Sequence, residues 1–402
     1  MSDAPAAERQ ATHEQERTSV FIIRQAKVED VPTLVKLAKM VLFINLPADR
    51  EVIHQKIVRS RECFIRAAGG KPEARGNGKA AGGPGRGRAG SPKQGGVSEF
   101  AKHGEFFMFA LEDTETGACL GTSQIVGHMG GPGNPNFTLK LRKKDFFSES
   151  LQTGTSHVVA RLHADESGPT EIGGLILQPA SRGHKLGRLL SLIRFHWIAL
   201  HRESFADRII AEMMGPVTAD GHSVLWDNLG RRFIPLSYSE ADKHCQRSRE
   251  FISALLPKED IYLSLLPPEA RDVVGKVGEE TVPARRMLEK LGFEYKDEVD
   301  AFDGGPVLSA KTDSVSVVKG TSTAELGEPG AAARHLGFVS LLRENGEFAA
   351  VQTEFGLDGK GRVSVGAAVM DELKWERGMR VGVTALEKLA GGAKRSAAKA
   401  RA

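Results

Sequence analysis

The residues most suited to chemistry lie between Gln178 and Leu190. Ser181-Arg182-Gly183-His184-Lys185-Leu186-Gly187-Arg188-Leu189-Leu190 sets two glycines, which permit close backbone approach, among the cations Arg182, Lys185 and Arg188 at the threshold of an apolar helix. Backbone amides at a helix N-terminus flanked by positive charge form a site for an anion such as a pyrophosphate. The stretch lacks the Gly-Lys-Ser/Thr of a P-loop and the three-glycine dinucleotide fingerprint. By residue type alone it is either a phosphate site or a basic glycine turn that opens an ordinary helix.

Proton-transferring groups are the second element of a site. His222 lies in the loop Thr218–Ser223 beyond Met213 and Met214, histidine being a residue type suited to proton transfer, and Glu171 and Glu212 are carboxylates near strand ends. His222 is equally readable as a cap or surface residue. Glu212 can grip a guanidinium in a bidentate way or belong to a buried ion pair. His196 and His201 are five residues apart, poor spacing for one helix face, and read as packing or surface residues. Cys245 follows Lys243-His244 with no base at helical spacing, so it does not read as a nucleophile. No His and acidic cluster has metal-ligand spacing, and no metal is expected.

These groups need elements to hold them. Phe21–Arg24 reads as a strand, Val28–Phe43 as a helix with Asp30 able to cap it and Pro32 in its first turn, and Asp49–Arg66 as a second helix. Glu105–Leu111 and Cys119–Val126 form a hairpin across Asp113–Gly117. Strands at Ser156–Leu162 and Ile172–Leu177 precede the glycine turn, a helix runs on to about Phe205, and Arg208–Met213 is the next strand. Ser239–Leu256 reads as one amphipathic helix and Val282–Leu291 as another, stopped by Gly292. A polar connector at Thr321–Gly330 leads to short strands at Gly337–Leu341, Ala349–Thr353, Val363–Val365 and Val381–Thr384, suggestive of a small barrel-like domain.

Composition narrows the classes of function. The chain has 402 residues, and its three cysteines, Cys63, Cys119 and Cys245, are too few and too scattered for a disulfide framework or a thiolate zinc cluster. No apolar run is long enough to span a membrane, and the N-terminus does not read as a secretion signal, so a cytoplasmic location is expected. Gly69–Val97 holds eleven glycines and three prolines and reads as a disordered insertion, with an RNA-binding role for Arg86-Gly87-Arg88 as the rival. That stretch and the last ten residues hold more positive charge than the net +4 of the chain, so the remaining body is acidic. Such a distribution argues against a nucleic-acid groove built into the fold.

The motifs resemble those of a known superfamily. Arg182-Gly183-x-x-x-Gly187-Arg188-Leu189-Leu190 is similar to the acyl-CoA pyrophosphate loop of the GNAT acyltransferases, and Ala284–Phe293 to their closing helix-to-strand signature. More specifically, the chain resembles the arginine N-succinyltransferase family through Asn45–Ala48, Leu111–Gly117, Ala211–Met213, Asn228–Phe233, Glu269–Gly275, Thr281–Arg285 and Phe302–Pro306. The resemblance implies two fused acyltransferase-like halves, succinyl-CoA as co-substrate, no further cofactor, and the α-amine of L-arginine as acceptor in arginine catabolism. It places Leu175 against succinyl-CoA. It also implies a proton-donating histidine where this chain has Gly278, and a glycine-rich segment where it has Val41–Ile44. Glu279 or Glu280 can stand in through water, or belong to a solvated face.

The expectation is an α/β (α+β) GNAT-like fold. It comprises a loose N-terminus (1–19), a first half (20–215) carrying the 69–97 insertion, a second half (216–320), a small β-barrel-like domain (331–389) and a basic tail (390–402). The candidate catalytic groups are His222, Glu279 and Glu212; the donor would be bound by Leu175, Arg182, Gly183, Lys185, Gly187 and Arg188. Alternatives are an N-acyltransferase for another donor or amine, such as acetyl-CoA or ornithine, and a non-catalytic acyl-CoA-binding protein. Homo-oligomerisation is open, since fused halves can mimic a dimer interface internally and the C-terminal domain can build one externally.

Overall fold

Alternating and aromatic runs form strands, and runs of period 3.6 form helices. The computed structural model describes residues 21–40, 46–71, 104–218, 220–245, 247–330 and 335–387. The expected N-terminal segment, the glycine-rich stretch from residue 72, Val41–Ile44 and the basic tail lie outside them. The chain runs β1 (Phe21–Gln25), α1 (Val31–Met40), α2 (Arg50–Ala67), β2 (Phe106–Asp113), β3 (Ala118–Val126), β4 (Asn136–Ser148), β5 (Thr153–Asp165), β6 (Thr170–Leu177), α3 (Leu186–Leu200) and β7 (Arg208–Glu212). It continues with α4 (Val224–Asn228), α5 (Tyr238–Cys245), α6 (Glu250–Leu255), β8 (Ile261–Tyr262), α7 (Pro268–Val273), α8 (Val282–Leu291), β9 (Glu294–Asp300) and β10 (Pro306–Lys311). Last come α9 (Ser316–Lys319), β11 (Thr321–Glu325), β12 (His335–Leu342), β13 (Phe348–Leu357), β14 (Val363–Val365), α10 (Ala367–Leu373) and β15 (Arg380–Ala385).

The strands form one mixed sheet in the order β11-β15-β12-β13-β1-β2-β3-β6-β7-β10-β9-β4-β5-β8, with β14 beside β13. Among the described strands, β6 and β7 make the only parallel ladder. Helix α3 is the crossover between them and buries Leu190, Ile193, Phe195, Trp197 and Ile198. Trp197 packs against Phe64, Phe107 and Phe348, drawing α2, β2 and β13 into one core. Each such side chain contributes about 1.5–3 kcal/mol by leaving water. No described helix is long and apolar enough to cross a membrane.

The boundary expected at residue 215 falls inside this sheet. Strand β10 pairs antiparallel with β7 from Val307–Glu212 to Lys311–Arg208, and β9 pairs with β10. Strands from both sides of residue 215 therefore belong to one sheet. The expected helix Ser239–Leu256 is likewise broken into α5 and α6, which brings Arg249 to the N-cap of α6. Asp30 does not cap α1: its carboxylate accepts the Lys27 amide at 2.8 Å and pairs with Arg24. Asp49 caps α2, accepting from the amides of Glu51 and Val52. Strand β4 was not anticipated, because its outer half is charged and exposed and carries no apolar alternation.

At the C-terminus, the supposed connector begins with strand β11. Pairings run β11–β15–β12–β13–β14, and a single bridge joins Leu326 to Val363. A separate apolar cluster of Val339, Val351, Phe355, Val363, Trp375 and Val381 fills this region. It is tied to the rest through β13 on β1 and through His196 of α3, whose ring nitrogens lie 2.6 Å from Thr384 Oγ1 and 2.7 Å from Ser340 Oγ. His196 is buried, and burial pushes its pKa down to about 3. It is a packing residue, as its spacing suggested.

Candidate active site

The parallel ladder of β6 and β7 has two rungs, Thr170–Ile209 and Glu171–Ile210, and then the strands part. Beyond the split, Ile172–Leu177 line one side and Ala211–Met214 the other side of a cleft of about 1550 Å³. A register shift opposite β3, between Thr122 and Gln124, bulges β6 at this point. Gly174 sits there at φ +56°, with the Gln124 side chain where its Cβ would be, so this bend requires glycine. Backbone groups of β6 that a sheet partner would otherwise engage thus face the cleft.

The chain leaves β6 through a short 3-10 turn, Pro179–Ser181, steadied by Gln178 Nε2 donating to Ser181 Oγ at 2.9 Å. Gly183 follows at φ +93° and Lys185 at φ +61° as the N-cap of α3. These left-handed residues turn the amides from Gly183 to Gly187 outward, and none finds a backbone acceptor among the described residues. Arg182, Gly183, Lys185, Gly187 and Arg188 all line the cleft. Arg182 pairs with Glu280 at 3.4 Å, linking this turn to the segment before α8. Helix α8 supplies the facing wall through Pro283, Ala284, Met287 and Leu291. It ends in a Schellman cap: Gly292 lies at φ +103°, and Phe293 donates its amide to Leu288 O and buries its ring against Phe195.

At the other end the cleft is acidic. Glu212, Asp242, Asp300 and Asp303 line it together with Asn136 and Arg249. Asn136 Nδ2 donates to Glu212 Oε1 at 2.7 Å, and Asn136 Oδ1 accepts from Arg249. Asp300 Oδ1 accepts the amides of Phe302 and Asp303, and Asp303 Oδ1 accepts that of Gly305 at 2.7 Å. Gly215 and Gly305 have no room for a Cβ, because the Phe302–Pro306 turn lies directly on Met213–Gly215. Burial, then the charge of Asp300, pushes the pKa of Glu212 up; burial, then Asp303, does so for Asp300; and burial raises Asp303. Asp242 is pushed up to about 7 by burial and then by Asp300. The buried Tyr238 hydroxyl and Asp242 Oδ1 have no hydrogen-bond partner among the described residues. Carboxylates crowded this way favour a cationic ligand, which would restore their ionised forms.

The sequence-derived candidates thus divide. Leu175, the five residues of the basic turn and Glu212 meet in the cleft. His222 does not line it: its ring is about half exposed and lies 3.2 Å from Asp227 and 3.5 Å from Asp220. Glu279 is exposed in a 3-10 turn outside the lining, although its neighbour Glu280 belongs to it. Glu171 is buried outside the lining, and its charge acts on Lys56, whose pKa burial lowers to about 8. Cys245 lines the cleft, but burial pushes its thiol up to about 12, far from a nucleophilic thiolate. Gly278 donates its amide to Met214 O at 3.0 Å, and a Cβ there would sit 3.2 Å from Gly215 O. The position implied for a histidine therefore abuts the segment beneath Asp303. Asp242, Asp300, Asp303, Asn136 and Arg249 were not anticipated, and only the Asp-Gly-Gly-Pro turn of Asp303 offered a local signal.

A parted parallel strand pair, a glycine turn at the N-terminus of its crossover helix and a helix closing the far wall are the architecture of a GNAT-type acyltransferase. Comparison with known proteins is more specific. The family model for the arginine N-succinyltransferase beta subunit matches residues 95–317. Arginine N-succinyltransferases of Escherichia coli and Escherichia fergusonii are each 34% identical over 284 residues, covering 70% of this chain and 82% of theirs. The solved structure of arginine/ornithine succinyltransferase subunit AI from Pseudomonas aeruginosa shares the fold, with a TM-score of 0.71 and 24% identity over 92% of this chain and 99% of that one. The chain belongs to the arginine N-succinyltransferase family.

Proposed function

We propose that the protein transfers the succinyl group of succinyl-CoA to the α-amine of L-arginine, in the cytoplasm, as a step of arginine catabolism. The observation that carries this reading is a cleft with a cationic glycine turn at one end and a buried carboxylate cluster at the other, joined where β6 and β7 part. The donor's pyrophosphate would rest on the amides and cations of Arg182, Gly183, Lys185, Gly187 and Arg188. Its pantetheine arm would follow the open edge of β6 past Leu175, bringing the thioester carbonyl to the bulge. The acceptor's cationic groups would enter the cluster of Glu212, Asp242, Asp300 and Asp303.

In this reading the neutral α-amine attacks the thioester carbon directly. The C–N bond forms, the C–S bond breaks, CoA leaves as the thiolate, and the proton lost by nitrogen passes to a carboxylate, which returns it to the thiolate sulfur. Glu212 is our choice for that base: it ends β7 opposite the open edge of β6, and Asn136 engages its Oε1. The cluster takes the place of the family histidine missing at Gly278. Holding two reactants in one cleft supplies much of the rate gain. Amine attack on a thioester needs no prosthetic group, and none is included. We read residues 21–311 as one acyltransferase fold carrying the β4–β5 hairpin and the α4–α7 segment as insertions, and the C-terminal ring of pairings as a small barrel-like domain.

The test is thiol release from succinyl-CoA by the purified protein with L-arginine, alongside acetyl-CoA and L-ornithine arms. Arginine-dependent release with succinyl-CoA as the best donor is expected. Silence in the succinyl-CoA and arginine arm, or faster turnover with another pair, overturns the assignment.

A further inference from the structure

Arg194 of α3 is a cation in the cleft wall for which the described residues provide no ion-pair partner. It is 3% exposed and lines the cleft. Its Nε donates to Ser191 O at 3.1 Å, its Nη2 to Ser191 Oγ at 2.6 Å and its Nη1 to Gly173 O at 3.3 Å. A guanidinium carries five N–H groups, so these contacts leave two undirected. Burial alone pushes its pKa down to about 9, with no neighbouring acid opposing the shift. Two other cleft arginines have acidic neighbours, Arg249 among the carboxylates and Arg182 beside Glu280, while Arg188 and Arg286 are not buried as Arg194 is. A buried charge without a counter-ion is costly, and a ligand carboxylate would offset that cost.

Its position fits one part of the donor. Gly187, Ser191 and Arg194 follow one another at i, i+4 and i+7, so they form one face of α3 that runs inward from the anion turn. Gly173 lies just past the last rung of the parallel ladder, four residues and about 13 Å before Leu177. A chain that enters along β6 from the turn therefore ends beside the Arg194 guanidinium.

We propose that Arg194 receives the distal carboxylate of the donor's acyl group, and so selects a dicarboxylic monothioester over a neutral acyl chain. The proposal rests on succinyl-CoA being the donor and deepens that reading. It assigns opposite charges to the two substrates' subsites: a cation in the wall for the acyl end of the donor, and carboxylates at the far end for the acceptor.

The experiment compares binding of CoA, succinyl-CoA and butyryl-CoA, which has a methyl in place of the carboxylate, to the full-length protein without amine. Calorimetry on wild type, Arg194→Gln and Arg194→Lys then reads the carboxylate separately from turnover. Wild type is expected to prefer succinyl-CoA to butyryl-CoA by about 100-fold, as charge-assisted pairing in a buried site would give. Arg194→Gln should abolish the preference while CoA affinity stays within about threefold, and Arg194→Lys should keep part of it. Equal wild-type affinity for the two acyl-CoAs overturns the proposal, whether or not either variant folds. So does an equal loss for all three ligands in Arg194→Gln, which would mean that the guanidinium only braces the bulge at Gly173. Preference for succinyl-CoA without transfer to any amine would leave Arg194 in its role and remove only the acceptor and reaction from the functional reading.

Discussion

Glu212 and its neighbours carry the sharpest single-residue expectations. If Glu212 takes the amine proton, Glu212→Gln should lower kcat by about 10²–10³-fold, the scale of general-base catalysis, with a much smaller change in succinyl-CoA affinity. Its pKa is raised by burial and then by Asp300, and the base must be ionised to act. Wild-type kcat/KM for arginine should therefore fall as pH drops through a value above the ordinary carboxylate range, and the variant should show a shallower acid limb, the remainder coming from Asp242, Asp300, Asp303 and protonation of the amine. His222→Ala, at an exposed loop position paired with Asp220 and Asp227, should stay within about twofold of wild type in steady-state kinetics. The basic turn was legible in sequence because its residues are neighbours in the chain as well as in space, and Glu212 because it ends a strand within a stretch similar to the family's. The partners of Glu212 were not: Asn136, Asp242, Arg249 and Asp300 come from four elements, and no local pattern marks residues that meet only after folding.

Among elements, the junction of β6 and α3 is the one whose backbone the proposed donor site uses. Gly183→Val would place a β-branched residue at φ +93°, strained by about 1–2 kcal/mol, and lay a side chain over the outward amides. Succinyl-CoA affinity should fall by at least about tenfold, measured by calorimetry, while arginine KM changes little. Strand, turn and helix here were readable in order, because a buried apolar strand, two glycines and an apolar helix are each strong local signals. The break between α5 and α6 was not, since Ser239–Leu256 keeps an amphipathic pattern through it; tertiary contacts of Arg249 with Asn136 override that pattern. Strand β4 escaped for the opposite reason: Phe137, Leu139 and Leu141 give only its inner half an apolar face, and pairing with β5 along thirteen residues carries the charged, exposed outer half.

At the scale of the molecule, crowded carboxylates make stability depend on pH in an unusual direction. Asp242, Asp300 and Asp303 have folded pKa values above the unfolded value of about 3.9, so the folded state binds more protons between about pH 4 and 7. Their contribution is present below that window and is lost as pH rises through it. Asp300→Asn removes part of this dependence, so the variant's Tm relative to wild type should rise between pH 5 and pH 7.5 in calorimetric scans. His196, depressed to about 3, acts in the opposite sense but is common to both proteins and cancels in the difference. The continuity of the sheet across residue 215 was hidden from sequence because strand neighbours far apart in the chain leave no local trace.

The early parting of β6 from β7 means that this sheet has an edge in its middle. Proteins usually shield such rows of amides and carbonyls with Lys, Pro or a covering loop, because a stray strand can zip onto them. Here the shield would be the substrate itself, with the amide-bearing arm of CoA lying along Ile172–Leu177 as a temporary strand. Hydrogen exchange at those amides would then slow when CoA binds, and the donor would have to arrive before the acceptor, because it finishes the sheet on which the second pocket stands.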